Sequence, residues 1–114
     1  MKIEKFEDII SWQKAKQLVA LIYEIFKDNK DFGFKDQICR AAVSIMNNIA
    51  EGYERSGDKE LKRFLYIAKG SSGEVRSMAY IAKEIGYISE KQFSDIYNMS
   101  EEISKMLSGF IKKL

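Results

Sequence analysis

The sequence predicts an all-α protein, an antiparallel up-down-up-down four-helix bundle that is expected to form a single domain over residues 1–114. Apolar residues recur at alternating steps of three and four in four segments, and short polar turns separate these segments. No segment alternates with the period of two that is typical of strands. The chain contains no proline, so nothing interrupts long helices.

The first two helices are expected over about residues 9–28 and 34–55. In the first helix, the stripe that should face the core consists of Trp12, Ala15, Val19, Ile22 and Phe26. In the second helix, the corresponding stripe consists of Ile38, Ala42, Ile45, Ile49 and Gly52. A glycine within a helix is unfavourable by about 1 kcal/mol relative to alanine, so Gly52 indicates either close packing or the start of helix breakdown.

The last two helices are expected over about residues 58–85 and 89–113. Asp58 is the expected N-cap of the third helix, Gly86 lies at its C-terminal cap position, and Ser89 with Gln92 forms a capping-box pattern. The third helix is apolar over more of its surface than one core contact requires, which predicts self-association. Its two stripes are Leu61, Leu65, Ala68, Ser72, Val75, Ala79 and Ala82, and Phe64, Ile67, Ser71, Met78, Ile81 and Ile85. The fourth helix carries Phe93, Ile96, Ser100, Ile103, Leu107, Phe110 and Leu114.

Small and polar residues are expected to lock the second helix to the third. Antiparallel pairing about Gly57 places Arg40 opposite Glu74, Glu51 opposite Arg63, and Ser44 opposite Gly70. Asparagine is a poor helix former, so at least one of Asn47 and Asn48 is expected to form a hydrogen bond across helices or to another subunit. A solvated side chain is the alternative, which fits Asn47 better than Asn48 because Asn48 borders the inner stripe. A structural lock is favoured over a ligand-binding or catalytic role for Arg40, Ser44, Asn48, Glu51, Gly70 and Glu74.

The composition argues against an enzyme, a metal site and a cofactor site. The chain has no histidine, which removes the commonest general base and the histidine ligands of di-iron bundles. A lone cysteine, Cys39, cannot form a Cys–His pair or a structural zinc site, and it suits a reducing cytoplasm. The charged N-terminus is not a signal peptide, and the longest uncharged run, Ala41 to Ala50, is too short to span a membrane. A cytoplasmic location is therefore expected.

The remaining candidate function is nucleic-acid binding around the third helix. Residues 55–76 contain six basic and three acidic residues, although the net charge of the whole chain is only +2. Tyr66, Tyr80 and Tyr87 lie near this helix and could stack on bases. The alternative is that the charges form a solvated face and the tyrosines surround an interface. The candidate nucleic-acid-binding residues are Arg55, Lys59, Lys62, Arg63, Lys69 and Arg76.

Nearly the whole chain resembles one known family, the four-helix-bundle proteins encoded in intervening sequences of bacterial 23S rRNA genes, sometimes called ribosomal-protein-like. Their relatives include the accessory variability determinant proteins of diversity-generating retroelements. The chain departs from the family in lacking a proline-containing turn before the second helix. The segments that carry the resemblance are Phe6-Glu-Asp-Ile with Trp12-Gln13, Gln37-Ile-Cys-Arg-Ala-Ala-Val-Ser44, Asn48-Ile-Ala-Glu-Gly52 with Arg55, Phe64-Leu-Tyr-Ile-Ala68 with Gly70-Ser71 and Glu74, and Gly86-Tyr87-Ile88.

The resemblance implies an antiparallel bundle that assembles as a ring-like homo-oligomer, often a pentamer, with a basic surface. It also implies a reverse transcriptase and nucleic acid as the partners of the retroelement relatives. We therefore expect a non-enzymatic homo-oligomer that binds RNA or a nucleic-acid–protein complex. The alternative is a protein-binding adaptor, such as an accessory subunit of a reverse transcriptase, without direct RNA contact. A third interpretation, a bundle that binds a small ligand, requires an apolar cavity between helices.

Overall fold

A computed structural model describes residues 3–114 and contains a short 3-10 helix, Phe6–Asp8, followed by four α-helices. Met1 and Lys2 belong to the expected domain but lie outside the described residues. Each α-helix packs against two others and none packs against the helix diagonally opposite, so the predicted all-α four-helix bundle is confirmed. Within residues 3–114, no helix is both long enough and apolar enough to span a membrane. The helices are α1 (Ile10–Phe26), α2 (Phe32–Glu54), α3 (Asp58–Glu84) and α4 (Glu90–Lys112).

The helix ends follow local capping chemistry. The expected second helix began at residue 34, but α2 begins at Phe32 because the Asp31 carboxylate caps it by accepting a hydrogen bond of 3.2 Å from the amide of Phe34. The prediction that Asp58 caps α3 is wrong. Gly57 occupies the N-cap position with a φ of +90°, which places Asp58 in the first turn.

The capping box at the start of α4 is confirmed. The Ser89 hydroxyl accepts a hydrogen bond of 3.1 Å from the Gln92 amide, and the Gln92 side chain accepts one of 2.8 Å from the Ser89 amide. The reciprocal bonds satisfy two amide groups that would otherwise lack partners in the first turn. These two bonds therefore define where α4 begins.

The core side of α2 agrees with the prediction, whereas that of α1 is rotated by about one residue. All five residues of the predicted α2 stripe are buried. In α1, Ser11 and Leu18 are buried, whereas the predicted Trp12 and Val19 are only half-buried. Trp12 lies at the rim of the core, where the ring of Phe6 from the 3-10 helix packs edge-on against it with the ring centres 5.2 Å apart.

The two apolar stripes of α3 have different environments. Residues of the first stripe are buried, except Leu61, which is half-buried. In the second stripe only Phe64 is buried, and Ile67, Ile81 and Ile85 are 40%, 42% and 49% exposed. The apolar surface of α3 is therefore wider than the bundle core covers, as the sequence indicated.

Gly52 allows the close approach of α2 to α3. A Cβ atom added at this position would lie 2.7 Å from Cβ of Phe64 and 3.3 Å from Leu61. Such contacts are too short for a side chain larger than hydrogen, so Gly52 is a packing requirement and does not end the helix, which continues to Glu54.

Candidate nucleic-acid interface

The structure separates five of the six predicted nucleic-acid-binding residues into two groups, on opposite sides of α3. Lys62, Lys69 and Arg76 recur every seven residues, and Lys69 and Arg76 line a groove between α3 and α4. Arg55 and Arg63 instead flank the ring of Phe64, the residue that contacts Gly52 of α2. Lys59, the sixth residue, is exposed in the first turn of α3. The predicted patch is therefore two separate surfaces.

Arg55 and Arg63 are already engaged by acidic neighbours. Arg55 lies 3.1 Å from the Glu51 carboxylate and 3.6 Å from that of Glu60, and Arg63 lies 3.0 Å from Glu60. The hydrogen bond from Arg63 lowers the pKa of Glu60 and raises the pKa of Arg63 itself. The guanidinium carbons lie 5.0 and 4.5 Å from the centre of the Phe64 ring, within the range of cation–π attraction. Much of the positive charge on this edge is thus balanced within the protein.

The groove between α3 and α4 gathers basic side chains from both helices. Its volume is about 440 Å³, and its lining contains four basic residues against the single acidic residue Glu101. The Glu101 carboxylate lies 3.6 Å from Nζ of Lys105 and accepts a hydrogen bond of 3.3 Å from Tyr97. The groove therefore carries a net positive charge. The basic residues are Lys69 and Arg76 from α3 and Lys105 and Lys112 from α4, with Ser104, Ser108 and Gly109 between them.

Lys105 and Lys112 were missed by sequence reasoning. They are seven residues apart on α4, as Lys69 and Arg76 are on α3. This shared spacing is a signal in the sequence, because residues seven apart lie on the same face of a helix. It does not reveal which face of α4 meets α3, so the sequence alone could not place the four side chains in one groove.

Arg76 is held in this groove by a chain of hydroxyl groups in the core. Its Nη1 donates a hydrogen bond of 2.7 Å to Ser104, whose hydroxyl donates one of 3.0 Å to Ser72. Ser72 in turn donates one of 2.7 Å to the carbonyl of Ser100, and both of these serines are fully buried. These hydrogen bonds fix the Arg76 guanidinium at the groove surface. The side chain therefore loses little conformational freedom when an anion binds.

The predicted polar lock between α2 and α3 is formed by only part of the predicted set. Ser44 Oγ lies 2.9 Å from Ser71 Oγ across the interface. The Asn48 side chain donates hydrogen bonds of 2.8 and 2.9 Å to the carbonyl and hydroxyl of Ser44 on its own helix, so the expected hydrogen bond of Asn48 across helices is replaced by a local one that supports Ser44. The predicted contact between Ser44 and Gly70 is wrong. Gly70 is exposed with open space around it, because α3 is rotated so that Ser71 faces α2.

The predicted cross-helix ion pairs are also wrong. Arg40, expected opposite Glu74, pairs with Asp36 on its own helix at 2.8 Å, and its side chain is 79% exposed. Arg63 pairs with Glu60, and Glu51 pairs with Arg55. On one helix, an acidic residue three or four positions away is nearer to the basic side chain than an acidic residue on the facing helix. These side chains also point away from the α2–α3 interface, which favours the local ion pairs. Glu74 accepts a long hydrogen bond of 3.5 Å from Gln37.

An aromatic cluster adjoins the basic groove. The ring of Tyr80 lies 5.0 Å from that of Phe93 and 5.9 Å from that of Tyr97, which itself lines the groove. The other two candidate tyrosines lie outside this cluster. Tyr66 is exposed on the outer face of α3, and Tyr87 donates a hydrogen bond to Asp31. Tyr66 does lie between Lys62 and Lys69 along α3, but Tyr80 is the one of the three whose ring packs against a residue of the groove lining, Tyr97.

Three further features bear on the function classes considered above. Among residues 3–114, no three His, Cys, Asp or Glu side chains come together as a potential metal site. Burial raises the pKa of the Cys39 thiol, which makes the nucleophilic thiolate less accessible. An open apolar groove of about 650 Å³ lies between the start of α1 and the end of α4, where Ile9, Ile10, Met106 and Phe110 line it.

Comparisons with known proteins agree with the fold and with the resemblance. The family described as 23S rRNA-intervening sequence protein matches residues 7–109. The chain is similar to the crystal structure of a protein of unknown function from the S23 ribosomal protein family of Bacteroides thetaiotaomicron VPI-5482. The two have a TM-score of 0.85 and 27% sequence identity, over 90% of this chain and 99% of that one. No curated protein matches this sequence.

Proposed function

The chain belongs to the 23S rRNA-intervening sequence protein family, and on this premise we propose that it is a non-enzymatic, homo-oligomeric bundle that binds RNA through the groove between α3 and α4. The observation that carries the proposal is that basic residues from two helices meet in this groove around one carboxylate. Cationic side chains that neutralise phosphates release counterions, which is the main source of affinity for a nucleic-acid backbone.

The composition of the groove suits the sugar–phosphate backbone of RNA. Lysines act as flexible point charges that can follow phosphates, and the fixed Arg76 adds a planar donor that can bind two phosphate oxygens. Lys59 and Lys62 are exposed at the start of α3 and extend the basic surface along the helix. Arg55 and Arg63 contribute less in this proposal, because Glu51 and Glu60 already balance their charges.

Self-association is supported by the opposite edge of α3. Ile67, Ile81 and Ile85 are 40–49% exposed, and burial of such apolar surface between subunits is favourable. Contacts through this edge would leave the groove on the other edge free. A closed ring, which the family resemblance implies as a pentamer, would repeat the basic groove in every subunit and multiply its phosphate contacts.

The second candidate function is an adaptor that binds another protein, for example a reverse transcriptase, without contacting RNA. The observation in its favour is the same exposed isoleucine edge, which a partner protein could cover instead of a second copy of the chain. The two candidates differ in their dependence on the groove. An adaptor would be indifferent to RNA and to the loss of Lys69 and Lys112.

The experiment that tests the RNA proposal is a titration with single-stranded RNA over a series of salt concentrations. We expect log Kd to rise steeply with log salt, and Lys69→Gln with Lys112→Gln to reduce the slope by about 1.4, or about 0.7 for each lost phosphate contact. The matched control carries Lys16→Gln and Lys30→Gln, two exposed lysines outside the groove. Equal slopes in the two double variants would contradict the proposal, and no RNA binding at low salt would favour the adaptor.

A further inference from the structure

We propose that the RNA bound in the α3–α4 groove is single-stranded, with unpaired bases stacked on the aromatic cluster of Tyr80, Phe93 and Tyr97. This inference rests on the function proposed above. The cluster is built from both helices that form the groove, since Tyr80 belongs to α3 and the other two rings belong to α4. Phosphate contacts and base contacts would therefore lie along one continuous surface.

The aromatic cluster is continuous with the basic groove. Tyr97 is part of the groove lining, and Tyr80 lies one helical turn beyond Arg76 on α3. Tyr80 is 55% exposed, whereas Phe93 and Tyr97 are partly covered. The two α4 rings hold the Tyr80 ring from one side, at 5.0 and 5.9 Å, and leave much of its surface to solvent. Such a held aromatic ring suits a stacking platform, because little motion must be frozen when a base binds.

Basic residues lie on both sides of this platform. Lys69, Arg76 and Lys83 follow one another at seven-residue intervals along α3, which corresponds to about 10 Å between successive residues. Tyr80 lies between Arg76 and Lys83. The Lys83 ammonium lies 4.4 Å from the centre of the Phe93 ring and 3.3 Å from the Glu90 carboxylate, so its charge is partly balanced. Alternation of cations and an aromatic ring along one helix is suited to a strand whose phosphates and bases are both accessible.

Glu101 disfavours a purely phosphate-binding groove. Its carboxylate lies within the lining and would repel a phosphate placed next to it. The same carboxylate can accept hydrogen bonds from base amino groups, which are free on unpaired bases. In a duplex the base faces are stacked on one another, so a double-stranded RNA could use the basic residues but could not use Tyr80. The observed combination therefore favours single strands.

The test compares the affinities of the full chain for two RNAs of the same sequence, one single-stranded and one paired with its complement, by fluorescence anisotropy at one salt concentration. We expect the single strand to bind about tenfold more tightly. Tyr80→Ala should lower affinity for the single strand about tenfold and leave the affinity for the duplex unchanged. Tyr80→Phe keeps the ring and should bind like the unmodified chain. Tyr23→Ala, at an exposed tyrosine of α1, is the matched control and should change neither affinity.

The outcomes separate this inference from the proposed function. Equal affinities for the two RNAs, or an equal loss for both in Tyr80→Ala, would overturn the single-strand inference while salt-dependent binding through Lys69 and Lys112 would still stand. Absence of binding to either RNA would overturn both. If circular dichroism shows that the alanine variant is unfolded, Tyr80→Leu replaces it, because leucine still packs against Phe93 and Tyr97 but has no aromatic face. Tyr80→Leu should show the same selective loss of affinity for the single strand.

Discussion

The hydroxyl of Tyr87, in the loop between α3 and α4, donates a hydrogen bond of 2.6 Å to the carboxylate of Asp31, the residue that caps α2. The Tyr87 ring also packs edge-on against Phe34 at 5.4 Å, and Phe34 lies 5.9 Å from Phe26. This one side chain thus joins two loops at the same end of the bundle. The bond requires an ionised Asp31 carboxylate and a neutral Tyr87 hydroxyl. It therefore lowers the pKa of Asp31 and raises the pKa of Tyr87.

Tyr87→Phe should lower the melting temperature at neutral pH, and the difference from the unmodified chain should depend on pH. The pKa of Asp31 is lower in the folded state than in the unfolded state. The contribution of Asp31 to stability is therefore present above its unfolded-state pKa and is lost as pH falls through its folded-state pKa. The pKa of Tyr87 is higher in the folded state than in the unfolded state. The contribution of Tyr87 to stability is therefore complete below its unfolded-state pKa and is lost as pH rises through its folded-state pKa. Thermal melts from about pH 2 to about pH 11 measure both changes.

The phenylalanine variant keeps the packing of the ring on Phe34, so the comparison isolates the hydroxyl. Tyr23→Phe, at an exposed tyrosine on α1, is the control and should show no such pH dependence. A difference between the Tyr87 variant and the unmodified chain that is constant from acid to neutral pH would contradict the assigned bond.

Two glycine substitutions should change the free energy of unfolding in opposite directions. Gly52→Ala places a methyl group 2.7 Å from Cβ of Phe64, so we expect a loss of about 1–3 kcal/mol in spite of the better helix propensity of alanine. Gly70→Ala has open space and should gain up to about 1 kcal/mol. Urea denaturation measures both values. An unchanged stability of Gly52→Ala would mean that α2 and α3 are less closely packed.

Two buried serines should also respond in opposite directions. The Ser11 hydroxyl is buried and has no hydrogen-bond partner among residues 3–114, so Ser11→Ala should raise the free energy of unfolding by about 1 kcal/mol. Ser72 bonds both Ser104 and the carbonyl of Ser100, so Ser72→Ala should lower this free energy by about 1–3 kcal/mol. Both variants remove a buried hydroxyl and leave only the Cβ methyl group, and each is the control for the other. Equal losses in urea denaturation would show that Ser11 does have a partner.

The two halves of the predicted basic patch should differ in their effect on RNA binding. Lys59→Gln with Lys62→Gln removes two exposed charges and should reduce the salt slope of the affinity. Arg55→Gln with Arg63→Gln removes charges that acidic neighbours already balance, so the slope should change less. Salt titrations of the two double variants give the comparison. A larger effect of the arginine pair would place the RNA on the α2 side of α3.

Exposed isoleucines of α3 should be required for the proposed self-association. Ile81→Glu with Ile85→Glu introduces charges on the apolar edge, and we expect the oligomer to dissociate because burial of unpaired charges between subunits is unfavourable. Light scattering after size-exclusion chromatography reports the mass. Ile10→Glu, at a 54% exposed isoleucine of α1, is the matched control. A variant that keeps the mass of the unmodified oligomer would exclude this edge from the interface.

The sequence was sufficient to predict the helices and the buried stripe of α2, because both depend on the spacing of apolar residues along one helix. It was not sufficient to predict rotations of about one residue. Neighbouring positions are separated by about 100° around a helix axis, so an error of one residue in the assumed pairing exchanges the outward-facing Gly70 for Ser71 at the α2 interface. The packing of all four helices together determines such rotations.

Of the basic residues in the groove, the sequence predicted only those of α3, because the contribution of α4 also depends on how the helices pack. Lys105 and Lys112 are far from Lys69 and Arg76 in sequence, and only the packing of α4 against α3 brings these side chains to one groove. The wrong ion pairs have a different cause. Pairing across helices was inferred from the turn at Gly57, but Arg40 has a closer partner, Asp36, on its own helix.

The chain of hydroxyl groups from Ser72 to Ser104 also restricts how α4 can slide along α3. A shift of one turn, about 5.4 Å, would separate Ser72 from the Ser100 carbonyl and leave buried polar groups without partners, a penalty that alternative apolar packings would not impose. Because the apolar residues of both helices repeat in every turn, they alone distinguish poorly between shifted arrangements. We expect these serines to select one alignment of the two helices, and with it the single arrangement in which the lysines of α4 lie opposite Lys69 and Arg76.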